Sequence, residues 1–91
     1  MVRFPEWKNS SSDSVLRLLA RAEIAVTPGA ITINLQRELE RPPSRTTITR
    51  AIKGLREQGL IRRIEDGQPY YQITDQGRAY LDGEYDPDGD V

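Results

Sequence analysis

From Arg41 to Arg63 the chain reads Arg-Pro-Pro-Ser-Arg-Thr-Thr-Ile-Thr-Arg-Ala-Ile-Lys-Gly-Leu-Arg-Glu-Gln-Gly-Leu-Ile-Arg-Arg. Pro42 and Pro43 must break any helix that precedes them, since proline lacks the amide donor and restricts the residue before it. Ser44 is then a helix N-cap. Ile48, Ala51, Ile52 and Leu55 recur at i, i+3, i+4 and i+7, the period of a helix with one buried stripe. Thr46, Thr49, Arg50, Lys53 and Glu57 keep the same spacing two residues out of phase, about 200° away around the helix. One face packs, and the other presents hydroxyls and cations. Gly59 ends the helix as a left-handed cap. The stretch holds seven cations (Arg41, Arg45, Arg50, Lys53, Arg56, Arg62 and Arg63) against the single acid Glu57, a local charge of +6 in a chain of 13 cations and 14 acids. A concentration of that kind is the footprint of a surface that meets phosphate.

Upstream, Met1 to Ser12 contains Phe4, Pro5 and Trp7 with no helical or strand period, and is read as an N-terminal arm over residues 1–12. Ser12 or Asp13 can cap a first helix whose apolar residues Val15, Leu16, Leu18, Leu19, Ala22 and Ala25 form a stripe to about residue 25. That stripe is wide enough either to be buried within the chain or to lie partly against a second subunit. Thr27-Pro28 is a helix start, with proline at the first helical position. Ile31, Leu35 and Leu39 then stack at i, i+4 and i+8; the alternation Ile31, Ile33, Leu35 also suits a strand, but Gln36-Arg37-Glu38 favours helix.

Downstream, Leu60 to Glu65 and Tyr70 to Thr74 are β-branched and aromatic runs around Asp66-Gly67, a signal for a primed hairpin turn. Thr74 or Asp75 can cap a last short helix through Leu81. Residues 83–91 are acidic and too poor in apolar groups to pack, so a flexible tail is expected. Residues 82 to 91 hold five acids and no cation, whereas residues 1 to 81 hold 13 cations and nine acids.

Composition narrows the chemistry. The 91 residues include no cysteine and no histidine, so disulfides, thiolate nucleophiles, the commonest general base and the commonest zinc ligand are all missing. No enzyme, catalytic residue, metal site or cofactor is expected, and nothing marks a small-molecule pocket. The alternating acids Asp82, Glu84, Asp86, Asp88 and Asp90 do not match a calcium-loop pattern. No apolar run approaches the roughly 20 residues that span a bilayer, and a cytoplasmic, nucleoid-associated protein is expected. Eleven of the 13 cations are arginine, which suits bidentate phosphate recognition and equally suits a GC-rich genome.

In order, these elements make an α+β fold, mainly α with a small β-hairpin: a winged helix-turn-helix over residues 13–82, with a three-helix core, a two-stranded wing and a short C-terminal helix. In that architecture the third helix docks in the major groove of double-stranded DNA. Arg45, Thr46, Thr49 and Arg50 are the candidates for base edges, since arginine can pair with guanine O6 and N7 and threonine methyls can touch thymine. Ser44, Thr47 and Lys53 are placed for backbone phosphates, with Arg62 or Arg63 assisting from the first wing strand; strand alternation allows only one of those two to face the duplex. Gln68, near the wing tip, is placed to meet the minor groove, and Arg3 and Lys8 offer a weaker contact of the same kind from the arm. Tyr70 and Tyr71 suit hairpin packing better than nucleic-acid contact. Trp7 and Phe4 are expected to cover a core edge or a subunit interface, and Tyr80, Leu81 and Tyr85 to assist a dimer contact. The function expected is a sequence-specific transcription regulator, a repressor acting as a homodimer on an inverted repeat. The alternative is a winged-helix protein-interaction module of transcription or replication machinery.

The runs Ser44-Arg45-Thr46-Thr47-Ile48, Leu55 to Ile61 with Gly59, and Tyr70-Tyr71-Gln72-Ile73-Thr74-Asp75-Gln76-Gly77 through Tyr80-Leu81 together resemble archaeal winged-helix regulators, in particular the haloarchaeal virus repressor-like group, and are similar in pattern to the MarR and PadR groups. The resemblance covers about residues 13 to 82. It implies a dimeric repressor of viral or host promoters. Two features depart from it: Glu65 and Asp66 stand at the wing tip where a cation is usual, and the total charge is near neutral. An acidic tail and arginine-rich usage fit a halophilic protein, in which base contacts must carry more of the specificity because counterion release is reduced at high salt.

Overall fold

The computed structural model describes residues 5–65 and 69–87, and its elements follow from the capping chemistry of the chain. Helix α1 spans Ser12–Ala22, α2 Pro28–Glu38, α3 Arg45–Glu57 and α4 Asp75–Leu81, with strands β1 at Ile61–Glu65 and β2 at Pro69–Ile73. Three of the four helices start on a hydroxyl cap: Thr27 accepts from the amide of Ala30, Ser44 from that of Thr47 and Thr74 from that of Gly77.

α1 departs from the sequence expectation at both ends. Neither Ser12 nor Asp13 caps it: Ser11 is the N-cap without a side-chain bond, and Ser12 Oγ is taken by the amide of Asn9 at 2.9 Å. The helix stops at Ala22 because Glu23 turns left-handed (φ 60°), donating its amide back to Leu19, and Ala25 therefore lies beyond the stripe.

The released chain is put to use. Val26 and Tyr71 exchange two backbone hydrogen bonds, at 2.9 and 2.7 Å, so a one-residue bridge adds a third edge to the hairpin. α2 is helical throughout, which leaves Ile31 and Leu35 buried and Ile33 at 58% exposure. Leu39 falls just past the end of α2 and is partly exposed.

The core gathers Val15, Leu16, Leu18 and Leu19 of α1, Ile31 and Leu35 of α2, and Ile48, Ala51, Ile52 and Leu55 of α3 over Leu60, Ile61, Tyr71 and Ile73. The α1 stripe is thus buried within the chain itself. Trp7, Tyr80, Leu81 and Tyr85 also pack against this core from outside. Each fully buried leucine or isoleucine contributes enough that truncation to alanine costs about 2–5 kcal/mol.

β1 and β2 pair antiparallel with Ile61 opposite Ile73, Arg62 opposite Gln72 and Arg63 opposite Tyr71. The turn expected at Asp66-Gly67 lies outside the described residues, as do Arg3 and Phe4 of the arm, Gln68, and the tail from Asp88 onward.

Candidate nucleic-acid interface

α3 is held in place by two neighbours on opposite flanks. On one flank Thr47, Gly54 and Gln58, at i, i+7 and i+11, face the arm. Asn9 Nδ2 donates to the Thr47 carbonyl at 3.0 Å, and Gly54 lies so close to the Trp7 carbonyl that no side chain fits between them. The arm is tied down further along: Lys8 Nζ donates to Tyr80 Oη at 2.7 Å and pairs with Asp13 at 3.5 Å, while the Trp7 and Tyr80 rings meet edge to face at 6.0 Å. Lys8 is therefore engaged within the chain. Burial works against its ammonium, but the Tyr80 hydrogen bond and the Asp13 charge outweigh this and raise its pKa from the ordinary 10.5.

Between the flanks the outward face carries Thr46, Thr49, Arg50, Lys53 and Glu57, all exposed. Among the described residues, Arg45, Arg50, Lys53 and Arg56 make no ion pair. Desolvating them against phosphate therefore breaks no internal pairing. The two threonines differ. Thr49 Oγ1 donates to the carbonyl of Arg45 at 2.9 Å, which occupies its proton.

Ser44 and Thr47 sit at the N-terminus of α3, their hydroxyls 3.0 Å apart. Ser44 is exposed and Thr47 half-buried under the arm, so Ser44 has the freer approach.

The strand pair is resolved by register. Arg63 lies across from buried Tyr71, on the hairpin face that looks toward α3; Arg62 lies on the other face, where its guanidinium donates to Gln72 Oε1 at 2.9 Å. The sequence counted Arg56 only among the clustered cations and assigned Tyr71 to hairpin packing, yet both line a cleft with Arg45, Thr49 and Lys53. The signal for Arg56 was present, since it falls at i+3 from Lys53 and i+7 from Thr49; that for Tyr71 was not, because the bridge to Val26 depends on the tertiary fold.

No group of His, Cys, Asp or Glu suited to hold a metal occurs among the described residues, and no helix there is long and apolar enough to cross a membrane.

Solved structures share this fold. The PhiH1 repressor-like protein from Haloarcula marismortui is 26% identical, with a TM-score of 0.72 over 96% of this chain and 91% of that one. A possible transcriptional regulator for arsenical resistance is 25% identical, with a TM-score of 0.58 over 81% and 75% of the two chains. The ST1889 protein from the thermoacidophilic archaeon Sulfolobus tokodaii, 21% identical with a TM-score of 0.64 over 84% and 71%, shares the fold. No curated protein matches the sequence. The model of the winged helix-turn-helix phage repressor matches residues 1–90. The chain, with its capped third helix set between an arm and a two-stranded wing, belongs to the winged helix-turn-helix phage repressor family.

Proposed function

We propose that the protein is a sequence-specific, double-stranded DNA-binding transcription regulator, a repressor that occupies an inverted-repeat operator as a homodimer with α3 in the major groove. The observation that carries this reading is the outward face of α3, where Thr46, Thr49, Arg50 and Lys53 are exposed and its cations make no ion pair among the described residues. Arginine and threonine on one exposed helical face match the donor and methyl pattern of the major groove. Family membership supports the same reading, as does a neighbour described as a possible transcriptional regulator.

Repression would follow from occupancy of a promoter, in the cytoplasm at the nucleoid, and calls for binding rather than catalysis. A protein-interaction role for the same face gains no support from the arm, which lies along the flank of α3 and leaves the face uncovered.

The test is selection from a randomised duplex library at two salt concentrations, with Arg50→Ala alongside. The expected result is a palindromic site whose preference relaxes at defined positions in the variant, by about 1–3 kcal/mol of discrimination for a lost bidentate contact. Failure to enrich any sequence at either salt would remove the specific-regulator reading.

A further inference from the structure

The two flanks of α3 are unlike in charge. On the arm side, exposed Glu6 and, from the edge of the outward face, exposed Glu57 line one recess with Gln58, Pro5 and Trp7, with no cation among them. On the hairpin side, Arg45, Lys53 and Arg56 line, with Thr49, Pro28 and Tyr71, a cleft of about 310 Å³ that runs along α3 and whose lining includes no carboxylate. Tyr71 is only 8% exposed, yet its hydroxyl has no hydrogen-bond partner among the described residues. No side-chain oxygen or nitrogen among the described residues is both buried and unpartnered, so this hydroxyl keeps solvent access, and Tyr71 lines the cleft. Arg63 stands on the same hairpin face, directly across the ladder from Tyr71.

The geometry points to a seat for one DNA backbone phosphate in this cleft, a reading that rests on the DNA-binding function proposed above. Lys53 and Arg56 stand one turn apart on α3, and the ammonium, the guanidinium and the phenol of Tyr71 from the sheet behind them line the cleft together. A phosphodiester has the charge and the acceptor oxygens to satisfy them. Arg56 and Tyr71 accordingly join Lys53 in the positioning set, while Thr46 and Arg50 remain on the outward face for the bases. Glu6 and Glu57 disfavour phosphate in the recess they line on the opposite flank.

The experiment measures Kd against salt for the native protein, Arg56→Ala, Tyr71→Phe and Arg17→Ala, using the selected duplex and a scrambled duplex. Arg17 is exposed and lines a different recess, beside α4, and serves as the control cation. Circular dichroism confirms that each variant is folded.

Arg56→Ala is expected to weaken both duplexes alike, on the order of tenfold, and to lower the salt slope by about one. Tyr71→Phe weakens both duplexes without changing the slope, and Arg17→Ala changes neither. A duplex carrying single neutral methylphosphonates shows one position per half-site that costs the native protein affinity and costs Arg56→Ala nothing.

An unchanged slope and affinity in Arg56→Ala would overturn the seat, as would a loss confined to the selected duplex, which would make Arg56 a base reader. Absence of binding by the native protein to either duplex would overturn the DNA reading itself, and the seat with it.

Discussion

Single residues set the precision of this surface. Gly54 is required by a close approach: a Cβ there would collide with the Trp7 carbonyl, backbone that cannot swing aside. Gly54→Ala is expected to destabilise the protein by about 1–3 kcal/mol through overpacking, seen as a lower denaturant midpoint, with Trp7 fluorescence reporting displacement of the arm. An unchanged midpoint would mean that the arm is not held against α3. Gly77 faces a comparable constraint at the Leu60 carbonyl. Lys8 supplies a pH dependence of known sign. Its folded pKa is raised above the ordinary 10.5, so its contribution is complete below that value and lost as pH rises through the higher folded value. The stability difference between the native protein and Lys8→Met should therefore be constant at neutral pH and narrow at strongly alkaline pH; a difference independent of pH would show that the Lys8 charge does not hold the arm.

Elements depend on how their ends are satisfied. α3 begins on Ser44, whose hydroxyl accepts the amide of Thr47, and Ser44→Ala should cost about 1 kcal/mol, measured as chemical stability, and fray the turn that carries Arg45 and Thr46. A variant as stable as the native protein would show that Pro43 and the packing of Ile48 define the start of the helix alone. The caps at Thr27 and Ser44 were legible in sequence, and that at Thr74 was one of two candidates with Asp75, because a hydroxyl one position before a helical run is local information. The start of α1 was not, since Asn9 competes for Ser12 through a turn with no periodic signal. Nor was its end, because the left-handed turn at Glu23 uses a residue with no intrinsic preference for that conformation; the Val26 bridge to Tyr71 on the far side of the core instead fixes where the chain must go.

At the scale of the whole molecule, the apolar stripe of α1 is consumed within the chain, and Tyr80, Leu81 and Tyr85 pack on the same core, so the surface available to a second subunit is narrower than the sequence suggested. Tyr85 is part of that packed surface, and a tail truncation that preserves the fold should start at residue 87. If the acidic tail screens the cationic face, removing residues 87–91 raises duplex affinity, with the largest gain at low salt; an unchanged Kd at every salt would dismiss that role. What the sequence determined by itself is what short-range chemistry dictates: the caps of α2 and α3, the last helix near Thr74 or Asp75, the strand pair, the buried stripe of α3 and its cationic opposite face. The tertiary structure alone decided which flank of α3 meets the arm and which the hairpin, that Arg63 and not Arg62 shares the α3 side, and that Arg56 and Tyr71 line one cleft with Arg45. Periodicity assigns a residue to a face of its own element, whereas the neighbour across that face is set by how the elements pack, through contacts between residues far apart in the chain.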